Sequence, residues 1–171
     1  LLYPIITGVK WDVVPQIFSS GHDVIENALS NQSLLWFALV MIVLKIIATS
    51  LTLGSGGSGG VFAPALFTGA MVGTAFALVL NMLFPGLPAS PSAYALVGMG
   101  AVFAASAHAP LTAVLIIFEM TGDYRIMLPL MLTVIIATLV SQKLLKGESI
   151  YTIKLSRRGV RLQRGKDIDV L

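Results

Sequence analysis

The sequence predicts an all-α integral membrane protein built from spanning, broken and re-entrant helices. Three observations carry that reading. Of 171 residues, 56% are hydrophobic and only 11% charged, against about 25% charged in a soluble domain, and mean hydropathy is +0.90. Apolar stretches of bilayer length recur at 34–53, 61–84 and 126–145. Glycine and proline interrupt the apolar sequence at GSGGSGGVFAP (54–64) and at His108-Ala109-Pro110, places where a simple spanning helix would continue.

Charge supplies the orientation. The net charge is +3, and eight of the eleven Lys and Arg residues lie from Lys143 onward. By the positive-inside rule that end is cytoplasmic. No aromatic or helical recognition module accompanies the basic tail, so nucleic acid is not the expected partner, and juxtamembrane lysines facing anionic lipid explain it better. There is no cysteine, hence no disulfide or thiolate metal site, and two histidines are too few for a histidine-built metal centre.

In chain order, 1–33 is broken by Pro4, Gly8, Pro15 and Gly21 and is predicted to form one or two short interfacial helices, with Asp23 and Glu26 on the polar side and His22 solvated. The stretch 34–53 is the first full span, with Trp36 suited to the interfacial aromatic belt. Lys45 lies deep inside it. An intramembrane charge marks a functional site by default; the competing reading, favoured here, is a structural lysine facing protein or water and paired with a carbonyl or carboxylate.

The turn 54–60 admits two readings. A Gly/Ser run most often serves as a flexible linker. Here its flanks are membrane-length apolar segments, and the glycines stop where a proline-containing helix start begins. A helix N-terminus leaves four N–H groups without intrahelical partners and carries about half a positive charge. Glycines before it let a ligand approach the backbone, and Pro64 fits the first helical turn. Such a stretch presents bare amides to an anion without any basic side chain. A Walker-type phosphate loop is excluded, because no Gly-Lys-Ser/Thr follows.

The helix 61–84 spans roughly 36 Å at about 1.5 Å per residue, and its Gly69 and Gly73 have the GxxxG spacing of close helix contact. FPGLPASPS (84–92) reads as a proline-rich loop on the outside. Pro110 divides the following apolar run into segments 92–107 and 110–120, each short for a full crossing and so expected beside protein or a water-filled cavity. His108 sits at the break as a polar group at a helix junction. Glu119 is expected to cap or pair locally, with Arg125 as a possible partner, beside the turn TGDY (121–124). The last span, 126–145, is followed by a short helix from 150 to about 158 and a basic tail.

Three motifs then fall in a familiar order: SGGVFAP (58–64), GMGAVFAASAHAPLTAVLIIFEMT (98–121) and GESIYTIKL (147–155). Together they closely resemble the C-terminal half of the membrane domain of the CLC family of chloride channels and chloride/proton antiporters. The resemblance implies one half of an inverted-repeat transmembrane fold, with residues 1–158 in that domain and 159–171 a cytoplasmic connector toward CBS domains. It implies chloride or a similar monovalent anion as the permeant ligand, with no cofactor, bound by the backbone amides of Val61 and Phe62 after Gly60. Ser58, Gly59 and Pro64 would support the helix start, and the hydroxyl of Tyr151 would point at the ion from the cytoplasmic side. From the residues alone, Tyr151 reads as an interfacial aromatic.

The resemblance further implies a homodimer in the lipid bilayer through segments 110–120 and 126–145, with Val114, Leu115, Ile117, Phe118 and Ile135 as apolar contacts. The family's serine site, gating glutamate and internal proton-pathway glutamate belong to an N-terminal half outside this sequence, so the chain is expected to be a fragment. Three competing functions are weighed. A secondary transporter of another fold predicts intramembrane carboxylates, and only Glu119 near a helix end fits. A non-transporting structural or regulatory membrane module would use GSGGSGG as a plain linker. An intramembrane hydrolase would have Ser55, Ser58 and His108 to draw on, but no GxSxG elbow with an ordered His/Asp set is visible.

Overall fold

Small residues set the architecture by letting two helices meet backbone to backbone. The computed structural model describes residues 35–56, 59–84, 90–145 and 149–152; the expectations for 1–33, Ser58, most of the 84–92 loop and the tail beyond 152 lie outside them. The elements are α1 (Leu35–Gly54), α2 (Phe62–Leu83), α3 (Pro91–Ala107), α4 (Pro110–Thr121), a 3-10 turn (Tyr124–Ile126) and α5 (Met127–Leu144). Among the described residues the regular structure is entirely helical. Leu35–Gly54, Phe62–Leu83 and Tyr124–Leu144 are long and apolar enough to cross a membrane, whereas α3 and α4 are shorter.

α2 is the central helix, with ten of its 22 residues buried against three of 20 in α1. It crosses α3 at the expected GxxxG positions. A Cβ on Gly69 would strike the carbonyl oxygen of Gly98, and one on Gly73 would strike that of Tyr94. The contact is reciprocal, since a Cβ on Gly98 would strike the Gly69 carbonyl. Around it the core gathers Phe67, Met71, Met99, Phe103, Ile117, Leu130 and Val134. α4 and α5 close over Gly100, where a Cβ would lie 2.6 Å from Leu130 Cδ1 and 3.5 Å from Ile117 Cγ1.

The break at Pro110 is as the sequence predicts. α3 ends at Ala107, and the His108 N–H still reaches the Ala104 carbonyl at 2.9 Å. His108 then turns left-handed (φ 56°), and Pro110 opens α4 at a position where no N–H is needed. Gly122 (φ 63°) ends α4 in the same left-handed way. At the following turn the expectation of a Glu119–Arg125 partnership is corrected. The Asp123 carboxylate accepts from the Arg125 backbone N–H at 2.9 Å, Glu119 is exposed, and no ion pair joins Glu119 to Arg125 among the described residues.

Of two further expectations, that for Lys45 gains a contact and that for the subunit interface changes. Lys45 faces protein, as favoured, and is only 5% exposed. Its ammonium lies 4.9 Å from the centre of the Phe67 ring, so a cation–π contact joins α1 to α2. Within the segments assigned to a subunit interface, Val114 and Ile117 are buried in the chain's own core and are not available to a partner. The outward residues there are Leu111, Leu115, Leu128, Leu132, Ile135 and Leu139, each more than half exposed.

Candidate anion site at the start of α2

Among the described residues, no side chain caps the start of α2 as helix N-termini are usually capped. Val61 is the N-cap residue (φ −93°, ψ −18°), and its own side chain makes no capping hydrogen bond. The first intrahelical bond runs from the Ala65 N–H to the Val61 carbonyl at 3.1 Å. Pro64 has no N–H. The N–H groups of Val61, Phe62 and Ala63 find no carbonyl among the described residues, at the positive end of a 22-residue helix.

The preceding turn differs from the expectation in one respect. Gly60 does not hold a positive φ, and a Cβ there would meet nothing within 4 Å. Neither strain nor crowding within the chain requires glycine at 60; what its missing side chain provides is open approach to the next amides. The left-handed residue of the turn is Gly56 (φ 82°). Gly59 is the packed one, since its Cβ would sit 3.1 Å from Thr52 Cγ2 in the last turn of α1.

Beside the helix start is an open cavity of about 260 Å³ lined by α1, α2, α3 and the segment at 150. Val61, Pro64 and Ala65 line it from α2, with Ile46 and Leu53 from α1, Val102 and Ser106 from α3, and Ile150. Hydroxyls in its wall are committed to their own helices: Thr49 to the Lys45 carbonyl at 2.8 Å, Thr68 to that of Pro64 at 2.9 Å, and Ser106 to that of Phe103 at 2.9 Å. The cavity is largely apolar, with Val61 at the start of α2 in its wall. The Phe62 ring turns toward α3 and meets Phe103 edge-on, with centroids 5.0 Å apart.

Tyr151 belongs to the helical residues 150–152. Ser149 and Thr152 cap that start reciprocally: the Ser149 N–H donates to Thr152 Oγ1 at 2.8 Å, and the Thr152 N–H to Ser149 Oγ at 3.4 Å. Ile150 thereby faces Val61 and Pro64 across the cavity, while Tyr151 is half exposed and outside the lining. So Val61, Pro64 and the 150 segment come together, Phe62 and Tyr151 flank them, and Ser58 lies outside the described residues. Sequence reasoning missed the α1 wall, although Ile46, Thr49, Ser50 and Leu53 recur at i, i+3, i+4 and i+7 on one helical face.

Residues 1–142 match the family model described as voltage gated chloride channel. The chain belongs to the voltage-gated chloride channel family. It is similar to the H(+)/Cl(-) exchange transporter ClcA of Vibrio campbellii, 40% identical over 144 residues, covering 84% of this chain and 31% of that protein. It is also similar to a putative chloride channel protein, ClcB-like, of Ralstonia nicotianae, 42% identical over 131 residues, or 77% of this chain and 30% of that protein. Among solved structures it resembles a slow cyanobacterial Cl-/H+ antiporter with a TM-score of 0.70 and 37% identity, over 78% of this chain and 31% of the other. The chain thus spans about a third of the length of these relatives. It is an all-helical integral membrane protein of the CLC fold.

Proposed function

We propose that this chain forms one half of a CLC-type pathway for chloride or a similar monovalent anion, working with an N-terminal half like that of its longer relatives. The observation that carries the proposal is the start of α2, where among the described residues the amides of Val61 and Phe62 beside Gly60 find neither a side-chain cap nor a carbonyl. Partial charges and neutral donors suit a permeant ion, since they bind it firmly enough to replace water yet release it for transit. Tyr151 supplies one more neutral donor. Chloride is the permeant ligand, with no cofactor needed, and both chloride/proton exchange and channel conduction use such a site. The relatives named as exchangers favour coupled exchange.

The exposed apolar face of α4 and α5, reaching from Leu111 and Leu115 to Leu132, Ile135 and Leu139, is the surface we assign to a homodimer in the bilayer. Lys143 and the basic residues after it support a cytoplasmic tail by the positive-inside rule, with 159–171 proposed as a connector.

Chloride efflux from liposomes holding the full-length protein tests this reading, with calorimetric chloride titration beside it. Tyr151→Phe is expected to weaken binding by about tenfold, the low end for a hydrogen bond to a charged partner (roughly 1.5–3 kcal/mol), because the residue is half exposed. The fold should be unaffected, as the ring of this half-exposed residue is retained. Equal affinities in the two proteins would remove Tyr151 from the site, and efflux no faster than from empty vesicles would remove the transport function.

A further inference from the structure

Where α3 stops, its final carbonyls lose their intrahelical donors, and one is recaptured from a distant helix. Ser141 of α5 donates its hydroxyl proton to the Ala105 carbonyl at 2.6 Å. A serine has a single proton to give. The 3.2 Å contact between Ser141 Oγ and His108 Nε2 therefore runs the other way, with the imidazole Nε2–H donating to the oxygen. His108 is also the left-handed residue of the break, so its backbone and its side chain fix the same point. The end of α3 is locked to α5 by two consecutive hydrogen bonds.

That locked turn is the wall against which α2 begins. Phe103, two residues before Ala105 and 5% exposed, meets the Phe62 ring at 5.0 Å with planes at 78°. Val102 and Ser106 of the same turn line the cavity shared with Val61 and Pro64. Among the described residues no side chain caps the start of α2, and an uncapped first turn tends to fray. The contact with Phe103 supplies from another helix what a cap would supply locally.

We propose that Phe103, held in place by the Ser141–Ala105 bond, is a positioning residue for the anion site. Its ring sets the placement of Phe62, and with it the direction of the amides at the start of α2. The anion never touches Phe103; the effect passes through Phe62. This rests on the anion site proposed above.

The test uses the full-length protein and compares chloride and nitrate affinity by calorimetry. Phe103→Leu removes the ring but keeps an apolar side chain, and it is expected to weaken chloride binding roughly two- to tenfold, the range of one misdirected hydrogen bond, and to shift the chloride-to-nitrate ratio. Ser141→Ala should move both quantities in the same direction. Phe103→Tyr and Ser141→Thr, which keep ring and hydroxyl, should restore wild-type values. A fall in thermal midpoint with an unchanged chloride-to-nitrate ratio would make the role merely structural and overturn the proposal. So would wild-type affinity and ratio in Phe103→Leu and Ser141→Ala. Replacing the Phe62 backbone amide by an ester separates the two levels. If that variant loses chloride while Phe103→Leu does not, the brace alone fails; if it binds chloride as wild type does, the site beneath the brace fails.

Discussion

Gly73→Ala is expected to unseat α2 from α3 and to lower stability by about 3 kcal/mol or more, the upper end for inserting a methyl group into a packed contact. The obstacle decides the magnitude. A Cβ at Gly73 runs into the backbone carbonyl of Tyr94, and the same crossing holds Gly69 against Gly98, so relief requires moving one helix off the other. At Gly100 the obstacle is Leu130 Cδ1 at 2.6 Å, the far end of a side chain that can change rotamer, so Gly100→Ala should cost less. Gly54, at the end of α1, has nothing within 4 Å of a Cβ, and Gly54→Ala should be near neutral. Thermal midpoints of the detergent-solubilised full-length protein, followed by monodispersity, should fall in that order. Equal midpoints for Gly73→Ala and Gly54→Ala would contradict the close crossing.

The largest functional effect is expected from the single atom pair N–H at residue 62. Exchanging the Phe62 amide for an ester removes the donor and leaves the side chain and its contact with Phe103 in place. A hydrogen bond to a charged partner contributes about 1.5–3 kcal/mol, so chloride affinity should fall by roughly 10- to 150-fold. Val61→Ile keeps its N–H and adds one methylene beside a 260 Å³ cavity, so it should be mild. Gly60→Ala separates the ligand from the chain. The chain has room for that methyl group, and a loss of affinity without loss of stability would come from the approaching anion alone. If residues 54–60 were only a linker, neither the ester nor Gly60→Ala would alter anion binding.

The helix ends were legible in the sequence because they are written in residues with one conformational habit. Pro110 and Gly122 marked their boundaries to within a residue, and the Gly/Ser turn marked the start of α2. Gly69 and Gly73 announced a close crossing, yet the partner surface at Tyr94 and Gly98 carries no sequence mark and had to come from the fold. The faces of α4 and α5 were not legible, because both helices are apolar nearly all round and lipid, core and partner subunit accept the same side chains. That is why Val114 and Ile117 were assigned outward although they pack inward. Lys45 was readable as a buried charge but its seat on Phe67 was not, since a ring 22 positions away looks like any other core residue.

At the site, the amide donors followed from elementary helix physics, whereas Tyr151 came from family resemblance. Phe103 and Ser141 were invisible for a different reason. Their roles arise from pairings across helices, Phe103 with Phe62 and Ser141 with Ala105, that no local spacing encodes.

The central claim is that an anion rests on the backbone at the start of α2. Crystals of the full-length protein grown in bromide test it through the anomalous signal of the halide. The account predicts a peak within about 3.5 Å of the Val61 and Phe62 amide nitrogens and of the Tyr151 hydroxyl oxygen, slightly beyond an ordinary N–H···O distance because a halide is larger than oxygen. A well-ordered crystal at high bromide with no halide peak beside Val61 and Phe62 would contradict it.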